Sequence, residues 1–231
     1  MPSINIGLGS LRIFLSHSSK DKILTGKLKE LLEEKGLEVF IAHEDLEPCC
    51  DFEREIVKNL KRCDIFVCLL NNNFMASEWT IQELGMAVSE EKFIIPVQID
   101  AVPFGFIRGT QALKVKVDKL NNEIDIKSLA ENIFRTIMDS DKFGSEMKDF
   151  LINKLLESRS YLAANTRAKL IGGFNKFTEE QLTRLVNGTI ENNQIYEGFD
   201  SRKILLAIFE KFKDDIKEEK YKEVVIKLNS S

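Results

Sequence analysis

Apolar and polar positions change period repeatedly through the first part of the chain. Ile65, Phe66, Val67, Cys68, Leu69 and Leu70 run without a polar break, which predicts a strand covered on both faces, as in a parallel sheet. Shorter apolar runs at 11–16 (LRIFLS), 37–42 and 93–99 (FIIPVQI) predict further strands, with a weaker one at 113–117. Pro96 has no N–H and places its strand at an edge or a bulge. Helical spacing separates these runs. Leu24, Leu28, Leu31 and Leu32 share one face of a helix over 21–35 that Gly36 caps, and Phe52, Ile56, Val57 and Leu60 share one face over 51–61. Asn71, Asn72 and Asn73 stop the central strand in a polar loop. Ser77 then caps a helix, and Glu78 complements the positive end of its dipole. A helix over 126–137 closes the unit. Strands alternating with helices imply right-handed crossovers and a flavodoxin-like parallel sheet of five strands.

After Asp139-Ser140-Asp141 only helical patterns remain. Met147, Phe150, Leu151 and Leu155 form one stripe. Leu182, Leu185 and Val186 follow a capping box from Thr178 to Gln181, and Ile204, Leu205, Ile208, Phe209 and Phe212 form another stripe. Gly172-Gly173 and Glu197-Gly198 mark turns. The chain therefore divides into an α/β domain over 1–140 and a small all-α module over 141–231. The lysine- and glutamate-rich end reads as a solvated helical face or a partner-binding surface.

Composition narrows the function classes. The 231 residues are 43% hydrophobic and 30% charged, as in a folded soluble chain. A net charge of -4 offers no global attraction for phosphate backbones, so nucleic acid is not expected as a partner. No apolar run is long enough to span a membrane, and MPSINIGLGS lacks a secretory pattern, which points to a cytoplasmic protein. Cys49, Cys50, Cys63 and Cys68 form no CxxC pair, and neither His17 nor His43 stands at zinc-ligand spacing from them, so no metal site is expected. Cys63 and Cys68 fit the core as small hydrophobes. There is no GxGxxG or GxxxxGK[ST] run, which disfavours Rossmann dinucleotide binding and P-loop chemistry.

The candidate chemistry lies after the central strand. Trp79 and Glu83 stand four residues apart, near the start of their helix and close to the carboxyl ends of the strands, where open α/β sheets bind ligands. A second reading stays open. Ile81, Leu84, Gly85 and Val88 form the more apolar face of that helix, and Glu83 lies opposite them as a solvent-facing glutamate does.

Four stretches in order, FLSHSSKD at 14–21, VFIAHEDLEP at 39–48, CDIFVCLLNNNF at 63–74 and SEWTIQELGMA at 77–87, resemble a bacterial or archaeal TIR (Toll/interleukin-1 receptor) domain over residues 9–138. The helical tail lies outside the resemblance. The resemblance implies either an adaptor that only assembles or an enzyme that cleaves the nicotinamide–ribose bond of NAD, with NAD as substrate and no separate cofactor. It implies Glu83 as the catalytic acid, with Trp79 and Ser77 beside it in the motif. The loop 43–51, including Asp45, corresponds to one used for self-association and closure over the nucleotide. Phe14, Phe74 and Trp79 are candidates for stacking the rings, while Ser16, His17 and Asn71 to Asn73 are candidates for the ribose and phosphates. Plainer roles stand beside these: core packing for Phe14 and Trp79, capping for His17, and backbone satisfaction for the three asparagines. The resemblance further implies prokaryotic defence, self-association and a trigger sensed by the helical module. The competing functions are a non-catalytic TIR–TIR scaffold and a factor that engages the TIR domains of other proteins.

Overall fold

The computed structural model describes residues 11–42, 52–116 and 124–230. The chain divides into two compact units, Met1–Ile137 and Met138–Ser231.

In the first unit β1 (Arg12–Ser16), β2 (Glu38–Phe40), β3 (Ile65–Leu70), β4 (Phe93–Gln98) and β5 (Leu113–Lys114) form a parallel sheet in the order β2-β1-β3-β4-β5. This is the flavodoxin-like order that the alternating pattern predicts. All six residues of β3 are buried, as its unbroken apolar run requires. The helices α1 (Lys22–Glu33), α2 (Phe52–Arg62), α4 (Glu78–Ser89) and α5 (Ile126–Met138) follow the predicted segments, and Gly36 takes the left-handed φ of +85° that ends a helix cheaply only at glycine.

Three details differ from the pattern. Val57 is exposed, so α2 turns Ile56 and Leu60 inward without it. Pro96 lies in a strand with a neighbour on each side. The Phe93 and Ile99 N–H groups donate to the Asp64 and Leu70 carbonyls, so the period of two aims position 96 away from β3. On that side β5 pairs only with Val97 and Gln98, and the missing donor is not needed. The asparagine stretch is not a simple loop, because Asn71 caps a four-residue helix, α3 (Asn72–Met75), by accepting the Phe74 N–H at 2.8 Å.

The second unit is helical: α6 (Gly144–Leu156), α7 (Tyr161–Ile171), α8 (Glu179–Glu191), α9 (Asn193–Tyr196), α10 (Phe199–Lys211) and α11 (Glu218–Asn229). The predicted capping box is complete, with the Gln181 N–H on Thr178 Oγ1 and the Thr178 N–H on Gln181 Oε1, both at 3.1 Å. Among the described residues no helix is long and apolar enough to cross a membrane.

Candidate active site

Helix α4 is fixed at its start by short-range polar contacts. Ser77 has extended backbone and accepts the Thr80 N–H, while Thr80 Oγ1 lies 2.6 Å from the Phe74 carbonyl. That second contact ties α4 to α3. The helix consequently turns Thr80, Glu83, Leu84 and Ala87 inward, the i, i+3, i+4, i+7 stripe. The expected apolar face is therefore rotated: Leu84 is buried as expected, but Ile81 is exposed, and Glu83, which the second reading turned to solvent, is only 7% exposed. Anchoring by Thr80 selects a stripe that composition alone does not favour.

Buried in this way, Glu83 Oε2 accepts the hydroxyl of Ser16 at 2.5 Å. Ser16 is the last residue of β1 and is itself buried. The pair therefore lies at the carboxyl end of β1, beside β3, where the strand order reverses and α/β sheets open a crevice. Burial pushes the Glu83 carboxyl up to about 7, and the Ser16 bond pulls in the opposite direction. A carboxyl with this value supplies both protonation states at neutral pH.

A family model of the TIR domain matches residues 13–129. The chain belongs to the TIR domain family. Among curated proteins it is similar to a probable 2′ cyclic ADP-D-ribose synthase, BdTIR, of Brachypodium distachyon, with 26% identity over 99 residues. The match covers 42% of this chain and 44% of that relative, so the chain spans less than half the relative's length. Similar solved structures include the TIR domain of the Toll-related receptor TRR-2 of Hydra magnipapillata, with 16% identity, a TM-score of 0.43 and coverage of 54% of this chain and 95% of that one. Another is the CMP N-glycosidase BcmB of Clostridium botulinum, with 22% identity, a TM-score of 0.35 and coverage of 51% and 97%.

The TIR domain places the other expected site residues unevenly. Phe14 is fully buried, stacked 5.6 Å from Phe66 and tilted 5.3 Å from Phe40, so its ring has no face left for a base. Phe74 is likewise fully buried under α4. Both belong to the core, because each sits on the inward side of a covered element. Trp79 is 40% exposed and stands one helical turn before Glu83. His17 is buried next to Ser16 in the chain. Ser77 acts as the α4 cap. Asn71 spends its amide on the Phe74 N–H and on Asp21 Oδ2 at 2.9 Å, and Asn72 bonds Asp100, so these two asparagines hold loops together. Asp45 and the loop 43–51 lie outside the described residues, with Cys49, Cys50 and His43.

Two supporting residues are absent from the sequence reading. Thr80 aims α4, and Asp21 braces Asn71. The sequence holds only a faint signal for the first, a threonine three residues after a serine cap. Cys63 and Cys68 lie in the core, where burial raises their thiols to about 11 and about 12. They are not nucleophiles at neutral pH.

Proposed function

We propose that this TIR domain cleaves the nicotinamide–ribose bond of NAD and that Glu83 is its catalytic carboxylate. The observation that carries the reading is the buried Glu83–Ser16 pair at the carboxyl end of β1. The name of the Brachypodium relative, a cyclic ADP-D-ribose synthase, points to the same substrate class. The leaving group is a pyridinium, so as the C1′–N bond breaks its electron pair returns to nitrogen and nicotinamide departs neutral. Positive charge develops on the ribose ring, and an ionised Glu83 in a water-poor crevice stabilises it. Water then attacks C1′ and loses a proton to give ADP-ribose, or an adenine nitrogen of the same molecule attacks to give a cyclic product. In this reading Trp79, exposed one helical turn before Glu83, flanks a ring of the substrate, and His17 lies next in the chain to the Ser16 that bonds Glu83. Within this proposal the protein acts in the cytoplasm in prokaryotic defence by consuming NAD, and the helical unit takes a trigger or drives assembly.

The test is chromatography of NAD incubated with concentrated protein. The native chain releases nicotinamide, and Glu83→Gln lowers the rate at least about a hundredfold, as loss of a transition-state charge partner does. Full release by the variant overturns the assignment.

A second reading, a non-catalytic assembly module, draws on the loop after β4, where Val102 is 62% and Phe106 90% exposed. It predicts concentration-dependent self-association, weakened by Phe106→Ser in sedimentation, with no nicotinamide release from any preparation.

A further inference from the structure

Asp21 stands at the start of α1, where an aspartate ordinarily accepts a free N–H of the first helical turn. Among the described residues it makes no such bond. Its carboxylate turns instead to the residues after β3, and Asp21 Oδ2 accepts Asn71 Nδ2 at 2.9 Å. The backbone of Asp21 is held for that contact, with its N–H on the Ser18 carbonyl at 2.8 Å and its carbonyl accepting Thr25 Oγ1 at 2.7 Å. Asn71 is buried. A carboxylate only accepts, so the Nδ2 end of the Asn71 amide faces Asp21, which leaves Oδ1 for the Phe74 N–H at 2.8 Å.

These contacts close a ring that contains the Glu83–Ser16 pair. Asn71 fixes Phe74 by its N–H, the Phe74 carbonyl accepts Thr80 Oγ1 at 2.6 Å, and Thr80 stands one helical turn before Glu83. Glu83 Oε2 accepts the Ser16 hydroxyl, and the chain runs on from Ser16 to Asp21. A second bond between the same two loops, from Lys20 Nζ to Asn73 Oδ1, is exposed and longer, at 3.4 Å.

We propose that Asp21 and Asn71 are positioning residues that hold α4 at the rotation in which Glu83 meets Ser16. They act through Phe74 and Thr80 and not on the substrate. The consequence for catalysis rests on the NAD cleavage proposed above. A loosened ring leaves substrate binding in place and misplaces the carboxylate that stabilises the transition state, so it lowers kcat and spares KM.

Exchanging the two side chains tests the pair. Asn71→Asp keeps an oxygen for the Phe74 N–H but sets a second carboxylate against Asp21, and kcat for NAD falls at least about tenfold with KM within about twofold of native. Asp21→Asn keeps an acceptor oxygen and holds kcat within about threefold. Asp21→Asn combined with Asn71→Asp restores the bond with donor and acceptor reversed, and kcat returns to within about threefold of native. Trp79, the single tryptophan of the chain, lies between Ser77 and Thr80 and reads the start of α4 without NAD. Its quenching by acrylamide changes in Asn71→Asp and returns to the native value in the exchanged variant. Circular dichroism matching the native protein shows that the variants are folded at the assay temperature. Native kcat and native quenching in Asn71→Asp, or an exchanged variant as impaired as Asn71→Asp, overturns the proposal. If the native protein releases no nicotinamide but quenching follows the expected pattern, NAD cleavage falls and the positioning of α4 stands.

Discussion

At the scale of single residues, Glu83 makes the site costly to stability. Its carboxyl is raised from 4.5 to about 7 in the folded chain, so the native state holds a proton that the unfolded state has released between those values. Stability therefore falls as pH climbs through that window and stays lowered above it, by up to about 3 kcal/mol. Glu83→Gln is expected to be more stable than the native protein by about 2 kcal/mol at about pH 8, with the gap closing by about pH 4, measured by urea unfolding. Under the proposed NAD cleavage, the same carboxyl also governs rate. If the ionised form is active, kcat/KM for NAD rises through an inflection near 7. Ser16 holds that inflection down, so Ser16→Ala moves it to higher pH. A pH–rate profile checks the shift, and an unmoved inflection removes Ser16 from a role in setting the charge of Glu83.

At the scale of elements, caps and close approaches decide what periodicity leaves open. Thr178→Ala removes one half of a complete capping box and is expected to cost about 1 kcal/mol, read from the midpoint of the helical unit's unfolding transition. Gly198 precedes α10 for a steric reason. An added Cβ meets Asn165 Oδ1 at 2.9 Å and the Gln194 carbonyl at 3.0 Å. The same Asn165 oxygen accepts the Asp200 and Ser201 N–H groups, so Gly198→Ala breaks the start of α10 and costs about 1 to 3 kcal/mol. Two of the elements absent from the sequence reading share a cause. Helix α3 has four residues and no period to detect. Helix α7 buries Ala164, Ala168 and Ile171, residues too small or too sparse to stand out as an apolar stripe. Neither was legible as hydrophobic pattern, and each begins at a polar cap, Asn71 or Ser160.

At the scale of the whole molecule, each unit has its own core. Calorimetry is expected to resolve two transitions. Glu83→Gln shifts only the one that belongs to the TIR unit, and Thr178→Ala only the other. A single transition that both substitutions move together argues against independent units.

The sequence by itself determined the alternation of strands and helices, the change from α/β to all-α near residue 140 and the place of Glu83 near the start of the helix that follows the central strand. Those follow from periods, run lengths and caps, which act over a few residues. Whether Glu83 faces water or the interior was decided only in three dimensions, because the Thr80–Phe74 contact sets the rotation of α4. The same holds for Phe14, whose ring the sequence offers equally to a ligand or to the core. Packing against Phe66 and Phe40 settled it. The Ser16–Glu83 bond joins groups 67 residues apart. Contacts at that separation depend on how whole elements dock, and local chain chemistry carries no record of them.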